Sequence, residues 1–270
     1  MLDWFQALVL GIVQGLTEFL PISSTAHVFL VSTMFGWGDP GAAFSAIIQI
    51  GTELAVVIYF RKDLAHIFRN LKKSCQDAGF RRTSEAKTSI SLVVGSLPIL
   101  FIGFLFRDVI ETDVRNLYLV ASMLILFGVV LLIVDRFPLR RDNDSLTIKF
   151  GIIIGLSQAL ALIPGVSRSG ATISAGLALG YSRAQSARFA FLLAIPAVFA
   201  SGLFELRYGL SGDIQWGSTV FATLISFIIG IIVIHWFLKF ISRYSFKLFG
   251  WYRILVGTAI LMALFSGLVA

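Results

Sequence analysis

The sequence has little charge, few histidines and a single cysteine. Charged residues make up 14% of the 270 residues, against roughly a quarter in soluble domains. The one cysteine, Cys75, excludes a disulfide within the chain. The three histidines do not have the spacing of metal ligands. The first residues, MLDWFQ, contain no Lys or Arg, so we expect no signal peptide. These absences argue against a soluble or disulfide-stabilised domain.

Long apolar runs are what the chain has instead. Hydrophobic residues make up 57% of it and the mean hydropathy is +0.88. We predict an all-α polytopic membrane protein with six transmembrane helices, because six runs approach the length that crosses a bilayer, about 17–25 residues. The net charge of +7 lies mostly in the loops between these runs, which is typical of membrane topology, so we expect no nucleic-acid partner. The runs are 44–60, 88–106, 117–134, 189–206, 218–238 and 250–268.

Two further apolar regions are interrupted. Residues 4–20 and 149–163 each end at a proline followed by small polar residues, and the shorter apolar stretches 26–37 and 170–181 come next. Each region therefore predicts a helix, a break and a second helix, as in a re-entrant hairpin. Such irregular backbone is tolerated in a membrane only where protein buries it or water reaches it.

The two interrupted regions resemble each other. GIVQGLTEFLP begins at Gly11 and GIIIGLSQALALIP at Gly151, which matches Glu18 with Gln158. We predict two repeats, 1–137 and 150–270, each with one hairpin and three spans. A re-entrant hairpin leaves an odd number of crossings in each repeat, so the second repeat is inverted and the two breaks meet near the midplane. The GxxxG patterns here predict close helix packing.

Loop charges indicate the orientation. With residue 1 outside, cytoplasmic segments hold eighteen of the 22 Lys and Arg, while external loops hold Arg107, Arg115 and Arg207. Positive residues concentrate in cytoplasmic loops. We therefore expect both termini and the active-site access on the periplasmic or external side of the bacterial inner membrane.

The second break, PGVSRSGAT, places Arg168 within a membrane-embedded region. An arginine there is costly and functional by default. With Ser169 as the expected cap of a helix that begins near Gly170, the group predicts a site for a phosphate-like anion. The alternative is a structural ion pair between Arg168 and a carboxylate such as Glu53. The substrate-binding candidates here are Ser167, Ser169, Gly170 and Thr172.

The first break supplies complementary groups. Glu18 precedes Pro21 by about one turn, and Gln14, a substrate-binding candidate, lies one turn earlier on the same face. Ser24 and His27 share a face of the next helix, and we predict function for Glu18 and His27 together. Capping is the simpler interpretation for two further substrate-binding candidates. These are Ser23 and Thr25.

The chain resembles the bacterial undecaprenyl-diphosphate phosphatase family of the bacitracin-resistance type. GLTEFLPISSTAH and PGVSRSGATIS match its two signature segments, and IIQIGTELAVVIYF and the final YRI are also similar. The resemblance implies two re-entrant hairpins plus six spans in inverted repeats. It also implies hydrolysis of undecaprenyl diphosphate, which recycles the lipid carrier of cell-wall synthesis, with Mg²⁺ or Ca²⁺ as cofactor. The positions that match the family's active site are Glu18, Ser24, His27, Ser167, Arg168 and Thr172.

One departure concerns the metal. The family often has two acids four residues apart in its first motif, whereas this chain has Gln14 before Glu18. Glu18 alone, or Glu18 with diphosphate oxygens and water, then holds the cation. The nucleophile stays open among Ser24, His27 and a water that His27 activates.

The expected partners are a polyprenyl diphosphate lipid and the membrane, and a homodimer is left open. The rival class is a transporter or flippase of an anionic lipid or small anion, because inverted repeats and broken helices are typical of transporters. The Ser24, His27 and Glu18 cluster favours an enzyme, since binding alone needs no proton-transfer group.

Overall fold

The structure, a computed structural model, describes residues 3–106, 116–137, 145–209 and 214–267. Those residues form eleven α-helices and two short 3₁₀ turns, Phe80–Arg82 and Leu160–Leu162, without a strand. The predicted external residues Arg107 and Arg115 lie outside the described part of the chain. The helices are α1 (Trp4–Thr17), α2 (Ser24–Met34), α3 (Gly41–Tyr59), α4 (Arg61–Gln76), α5 (Ser84–Leu105), α6 (Leu117–Val134), α7 (Ile148–Ala159), α8 (Arg168–Ala178), α9 (Arg183–Gly209), α10 (Trp216–Ile241) and α11 (Lys247–Phe265).

Five of these helices, α5, α6, α9, α10 and α11, are long and apolar enough to cross a membrane. A sixth crossing is obtained if α3 and α4, which meet at a 75° bend, count as one broken span. The bend falls where the apolar sequence of α3 gives way to the basic sequence RKDLAHIFRNLKK. The predicted class, an all-α polytopic membrane protein, is confirmed.

Both predicted helix-break-helix regions are present. Helix α1 ends at Thr17, four residues before Pro21, and α2 begins at Ser24. Helix α7 gives way to a 3₁₀ turn before Pro164, and α8 begins at Arg168. The second helix therefore starts two residues earlier than the expected start at Gly170.

The first arm of each hairpin packs closely on a helix from the other half of the chain. Helix α1 lies on α10, where a Cβ at Gly11 would approach Ala222 O to 2.6 Å. Helix α7 lies on α5, where a Cβ at Gly155 would approach Gly95 O to 1.9 Å. The close packing predicted from the glycine spacing is confirmed, and it fixes both breaks against the same bundle.

The remaining packing brings the two halves together. Helix α3 contacts α9 and α10, and α6 pairs with α11. Phe19, next to the first break, packs its ring edge-on against Phe191 of α9 at 5.5 Å. The largest cluster of buried apolar side chains draws on both halves, so the two breaks are supported by one continuous core.

Candidate active site

The two breaks share a backbone conformation that places their side chains. Ser23 and Ser167 have φ of 75° and 70°, and they are the only non-glycine residues with positive φ in the described part of the chain. Each stands directly before a helix, α2 or α8. Such a conformation costs about 1–3 kcal/mol and persists where the surroundings impose it, often at functional sites. The residues that follow, Ser24 and Arg168, are thereby turned toward the same place.

Helix capping at the breaks differs from the sequence-based expectation. Ser167, not Ser169, caps α8, because its Oγ accepts from Gly170 N at 3.1 Å. Ser23 occupies the N-cap position of α2, but its side chain makes no capping hydrogen bond. The reason is that the positive-φ serine is the residue that immediately precedes each helix.

Glu18 is the centre of the polar cluster. Its Oε1 accepts from the Arg168 guanidinium in an ion pair. Its Oε2 accepts from Ser24 Oγ at 2.5 Å and from Gln14 Nε2 at 2.6 Å. The side chain of Glu18 is 6% exposed and that of Arg168 17%, so the pair lies in a site largely removed from solvent. The predicted meeting of Arg168 and Glu18 across the two breaks is present.

Arg253 is a residue whose position the sequence did not reveal. It falls at the end of a segment, 239–253, that the loop charges predict to be cytoplasmic, yet it is completely buried in α11. Its Nη1 donates to Pro21 O at 3.0 Å, and its Nη2 donates to Gly165 O at 2.8 Å and Val166 O at 2.9 Å. One guanidinium thus satisfies carbonyl groups from both breaks. The YRI segment carried this signal, because its arginine is flanked by apolar residues on a membrane helix.

Three predicted binding residues bond within the protein. Ser169 Oγ donates to Leu20 O at 3.0 Å, which links α8 to the first break. Thr172 Oγ1 donates to Arg168 O at 2.7 Å and is completely buried. Gly170 is buried near Arg253, whose Nη1 would lie 2.7 Å from a Cβ at that position. These residues support the break.

His27 lies away from Ser24. Its Nδ1 is 2.8 Å from Ser23 O and its Nε2 is 2.8 Å from Tyr252 Oη, with the two rings stacked. A carbonyl only accepts, so in the neutral ring Nδ1 carries the proton and Nε2 accepts from the tyrosine. His27 therefore holds the strained Ser23 backbone, and the structure does not bring it to the serine hydroxyl.

A cavity of about 480 Å³ joins the polar cluster to apolar walls. Its polar end includes six of the predicted site residues and its walls come from both halves. Phe104, which lines it, is 80% exposed, so the cavity reaches the apolar surface of the bundle. The predicted residues that line it are Glu18, Ser23, Ser24, Thr25, Ser167 and Arg168, and the apolar ones include Phe29, Ile99, Leu100, Phe104, Leu162 and Phe204.

The donor set for a cation at this cavity is small. The described residues contain no group of three or more His, Cys, Asp or Glu side chains that could hold a metal ion, and Glu18 is the one carboxylate among the residues that line the cavity. A cation such as Mg²⁺ commonly takes one or two carboxylates together with substrate phosphates. Glu18 fits that pattern once a phosphate is present.

The fold and the site together define a class of protein. This is a polytopic helical membrane protein with an arginine, a carboxylate and a serine at the polar end of a cavity that reaches the apolar surface of the bundle. The sequence profile of the bacitracin resistance protein BacA family matches residues 7–259. The chain therefore belongs to that family, and the resemblance seen in the sequence is confirmed.

Three named relatives align with almost the whole chain. Undecaprenyl-diphosphatase 2 of Streptomyces avermitilis is 50% identical, with 98% of this chain and 96% of the relative aligned. Undecaprenyl-diphosphatase 2 of Streptomyces coelicolor is 49% identical over 100% of this chain and 97% of the relative. Undecaprenyl-diphosphatase of Renibacterium salmoninarum is 48% identical over 99% of this chain and 98% of the relative.

Proposed function

We propose that this chain is an integral membrane phosphatase that hydrolyses undecaprenyl diphosphate to undecaprenyl phosphate and inorganic phosphate. The observation that carries the proposal is the Arg168–Glu18–Ser24 cluster at the closed end of a cavity that opens toward lipid. The names of the relatives support the same substrate. Removal of the terminal phosphate from this substrate regenerates the lipid carrier of bacterial cell-wall synthesis. This reaction links the enzyme to bacitracin resistance.

The cavity suits an amphiphile with an anionic head. Arg168 lines its polar end, and the planar fork of an arginine suits phosphate oxygens. Helices α2 and α8 both begin at this end, and helix N-termini favour anions. The diphosphate would lie against these groups, and the first isoprene units would lie along apolar residues such as Phe29 and Leu100.

The geometry supports Ser24 as nucleophile and Glu18 as its base. Ser24 Oγ would attack the terminal phosphorus, its proton would pass to the Glu18 carboxylate 2.5 Å away, and the bond between the bridging oxygen and that phosphorus would break. Undecaprenyl phosphate leaves with the electron pair of that bond. A water molecule then attacks phosphoserine 24, Glu18 returns its proton to Ser24, and inorganic phosphate is released with the remaining proton.

His27 takes a positioning role in this proposal. Both of its ring nitrogens are 2.8 Å from other groups, Ser23 O and Tyr252 Oη. The ring therefore supports the backbone that presents Ser24. Arg168 and the amides at the start of α8 would stabilise charge on the leaving phosphate.

We also propose that a divalent cation, Mg²⁺ or Ca²⁺, binds with the substrate. Glu18 in its ionised form would hold it together with diphosphate oxygens before the Ser24 proton is transferred, since one or two carboxylates and substrate phosphates form a common Mg²⁺ site. When bound, the cation supplies positive charge that offsets the diphosphate. Gln14 Nε2, which is 2.6 Å from Glu18 Oε2, keeps that carboxylate oriented.

Phosphate release in detergent is the direct test, because transport is impossible without a membrane. Purified protein should release phosphate from undecaprenyl diphosphate, and EDTA should stop it. A quench during turnover of substrate labelled in the terminal phosphate should leave label on Ser24. Tight binding without phosphate release would instead favour the transporter or flippase class, and label on His27 would exclude the serine mechanism.

We propose an inverted repeat with both termini outside the cytoplasmic membrane. The support is the matched packing of α1 on α10 and of α7 on α5, together with the loop charges, of which seventeen remain cytoplasmic once Arg253 is removed from the count. Cys75 is exposed in a predicted cytoplasmic loop. An impermeant thiol reagent should leave it unlabelled in intact cells, but should label the variant Cys75→Ser with Asp39→Cys. Labelling of Cys75 but not of the Asp39→Cys variant would indicate the opposite orientation.

A further inference from the structure

A second, much smaller cavity lies behind the Arg168–Glu18 pair. Its volume is about 10 Å³, close to the roughly 10–15 Å³ that one water molecule needs. Glu18 and Arg168 line both cavities, so the ion pair separates the small cavity from the large one. Glu53 and Ser169 complete its polar side, and the rest is apolar. The apolar residues are Phe19, Val56, Ala190, Phe191 and Ala194.

Glu53, in the middle of α3, is the unexplained group in this cavity. It is 1% exposed, and its Oε1 has no hydrogen-bond partner among the described residues. A buried carboxyl oxygen without a partner destabilises a protein, whereas an apolar side chain of the same size would not. A buried carboxyl at this cost, beside Glu18 and Arg168, indicates a role in the active site. The structural alternative, Glu53 as the partner of Arg168, is not what is observed, because Glu18 holds that position.

The Arg168 guanidinium has more N–H donors than its bond to Glu18 uses. Its only side-chain hydrogen bond to another described residue runs from Nη2 to Glu18. A guanidinium has five N–H groups in a rigid fork. A phosphate in the large cavity would use some of them, and a single water in the small cavity would accept from another. That water needs a second polar partner. Glu53 lines the same cavity, and its Oε1 has no partner among the described residues.

We propose that Glu53 is a positioning residue of the active site, which holds Arg168 toward the large cavity through one water molecule. The inference rests on the phosphatase function proposed above. During turnover Glu18 receives the Ser24 proton and becomes neutral, so its hold on the guanidinium weakens. Glu53 takes no part in that transfer, because it lies on the far side of the pair. It keeps Arg168 oriented while Glu18 changes its protonation state.

The other hairpin offers a matched control. Gln158 corresponds to Glu18 in the sequence repeat and is completely buried, with both amide atoms unpartnered among the described residues. It lines neither of the two cavities. Replacing it therefore removes an unpartnered buried polar group of similar size without touching the site.

The experiment compares Glu53→Leu, Glu53→Gln and Gln158→Leu in the full-length detergent-solubilised protein. Three quantities are measured for each variant. They are the midpoint of thermal unfolding, kcat and KM for undecaprenyl diphosphate, and the calorimetric affinity for inorganic diphosphate. Glu53→Met is a second apolar variant if leucine does not fit at this position.

We expect Glu53→Leu to unfold at the same or a higher temperature than wild type and to lose about 10–100-fold in kcat/KM, the range for groups that orient an active-site residue. Its affinity for diphosphate should fall as well. Glu53→Gln keeps an oxygen acceptor for the water and should retain most activity. Gln158→Leu should gain thermal stability with unchanged kinetics.

Several outcomes would overturn the inference. Wild-type kinetics in Glu53→Leu would do so, as would activity loss that only follows lost thermal stability. Equal impairment of Glu53→Gln would show that charge, not a water contact, is what matters. If wild type binds diphosphate but releases no phosphate, the proposed function fails, and the diphosphate affinities alone still test Glu53. Absence of both binding and hydrolysis in wild type would refute both proposals.

Discussion

The two hairpins share a backbone conformation at the break but differ in the side chains that they present there. Ser23 and Ser167 adopt the same rare conformation, and each precedes a short helix that begins at the cavity. The residue that follows is Ser24 in one hairpin and Arg168 in the other. One hairpin thus presents a hydroxyl for transfer and its counterpart a fixed positive charge. Both positions line the same cavity, and the side chains that follow them are complementary.

The difference extends to the arms before the breaks. Glu18 in the first hairpin accepts from Ser24 and from Arg168, whereas its counterpart Gln158 makes no side-chain hydrogen bond within the described residues. The acid of the first hairpin therefore joins the two positions, and the amide of the second does not. The site is therefore asymmetric in its side chains, although both breaks carry a positive-φ serine.

The largest effect should come from removing the hydroxyl. Ser24→Ala leaves Glu18 with no proton to accept, so we expect kcat to fall about 10⁴-fold or more, as for other nucleophile deletions. Ser32→Ala is the control, because Ser32 lies on the same helix and its Oγ donates only to Val28 O. Phosphate release from both variants is the measurement. Substantial turnover by Ser24→Ala would exclude Ser24 as the nucleophile and leave water or His27.

The matching change in the second hairpin should cost somewhat less. Arg168→Ala removes the charge that stabilises the transferring phosphoryl group, and we expect kcat/KM to fall about 10²–10³-fold. Arg188 also pairs with an acid, Asp63, but outside the cavity and half exposed. Arg188→Ala should therefore keep full activity. If both arginine variants lose activity equally, general destabilisation and not the site is responsible.

The sequence predicted the breaks, the Glu18 and Arg168 meeting and the glycine contacts, because these depend on local composition and repeat spacing. It did not predict the role of Arg253, since the partners of that side chain are carbonyl groups 88 and 232 positions away. Ser169 was expected to cap α8, and Ser167 does so instead. The two-residue difference in where α8 begins depends on the strained turn before it, and tertiary contacts impose that turn.

Helix packing offers a test of how symmetric the scaffold is. Gly11 and Gly151 are equivalent, and a Cβ on either would lie 2.6 Å from a backbone oxygen. Their alanine variants should lose similar stability, about 1–3 kcal/mol from overpacking. Gly155 is tighter than its counterpart Gly15, at 1.9 Å against 2.7 Å, so Gly155→Ala should be the more damaging of that pair.

Chemical or thermal unfolding in one detergent compares the stability of four alanine variants. They are the variants at Gly11, Gly15, Gly151 and Gly155. Gly103→Ala is the control, because its Cβ would meet Leu162 only at an ordinary 3.6 Å. That variant should gain about 0.5–1 kcal/mol from helix propensity. Equal costs at Gly15 and Gly155 would mean that α7 can move away from α5 more easily than the contacts indicate.

The smallest effect concerns the stacked contact between His27 and Tyr252. His27 corresponds to Ala171 when Ser23 is aligned with Ser167, and it bonds to Tyr252 Oη at 2.8 Å. Tyr252→Phe removes that hydrogen bond and keeps the stacked ring, so we expect a stability loss of about 0.5–1.5 kcal/mol and a change in kcat/KM of less than about threefold. Tyr244→Phe, at an exposed ring, is the control. A positioning histidine needs only its bond to Ser23 O, which the variant leaves intact. A loss of kcat that approaches that of Ser24→Ala would contradict a purely positioning role for His27, because the bond to Ser23 O is unchanged in the variant.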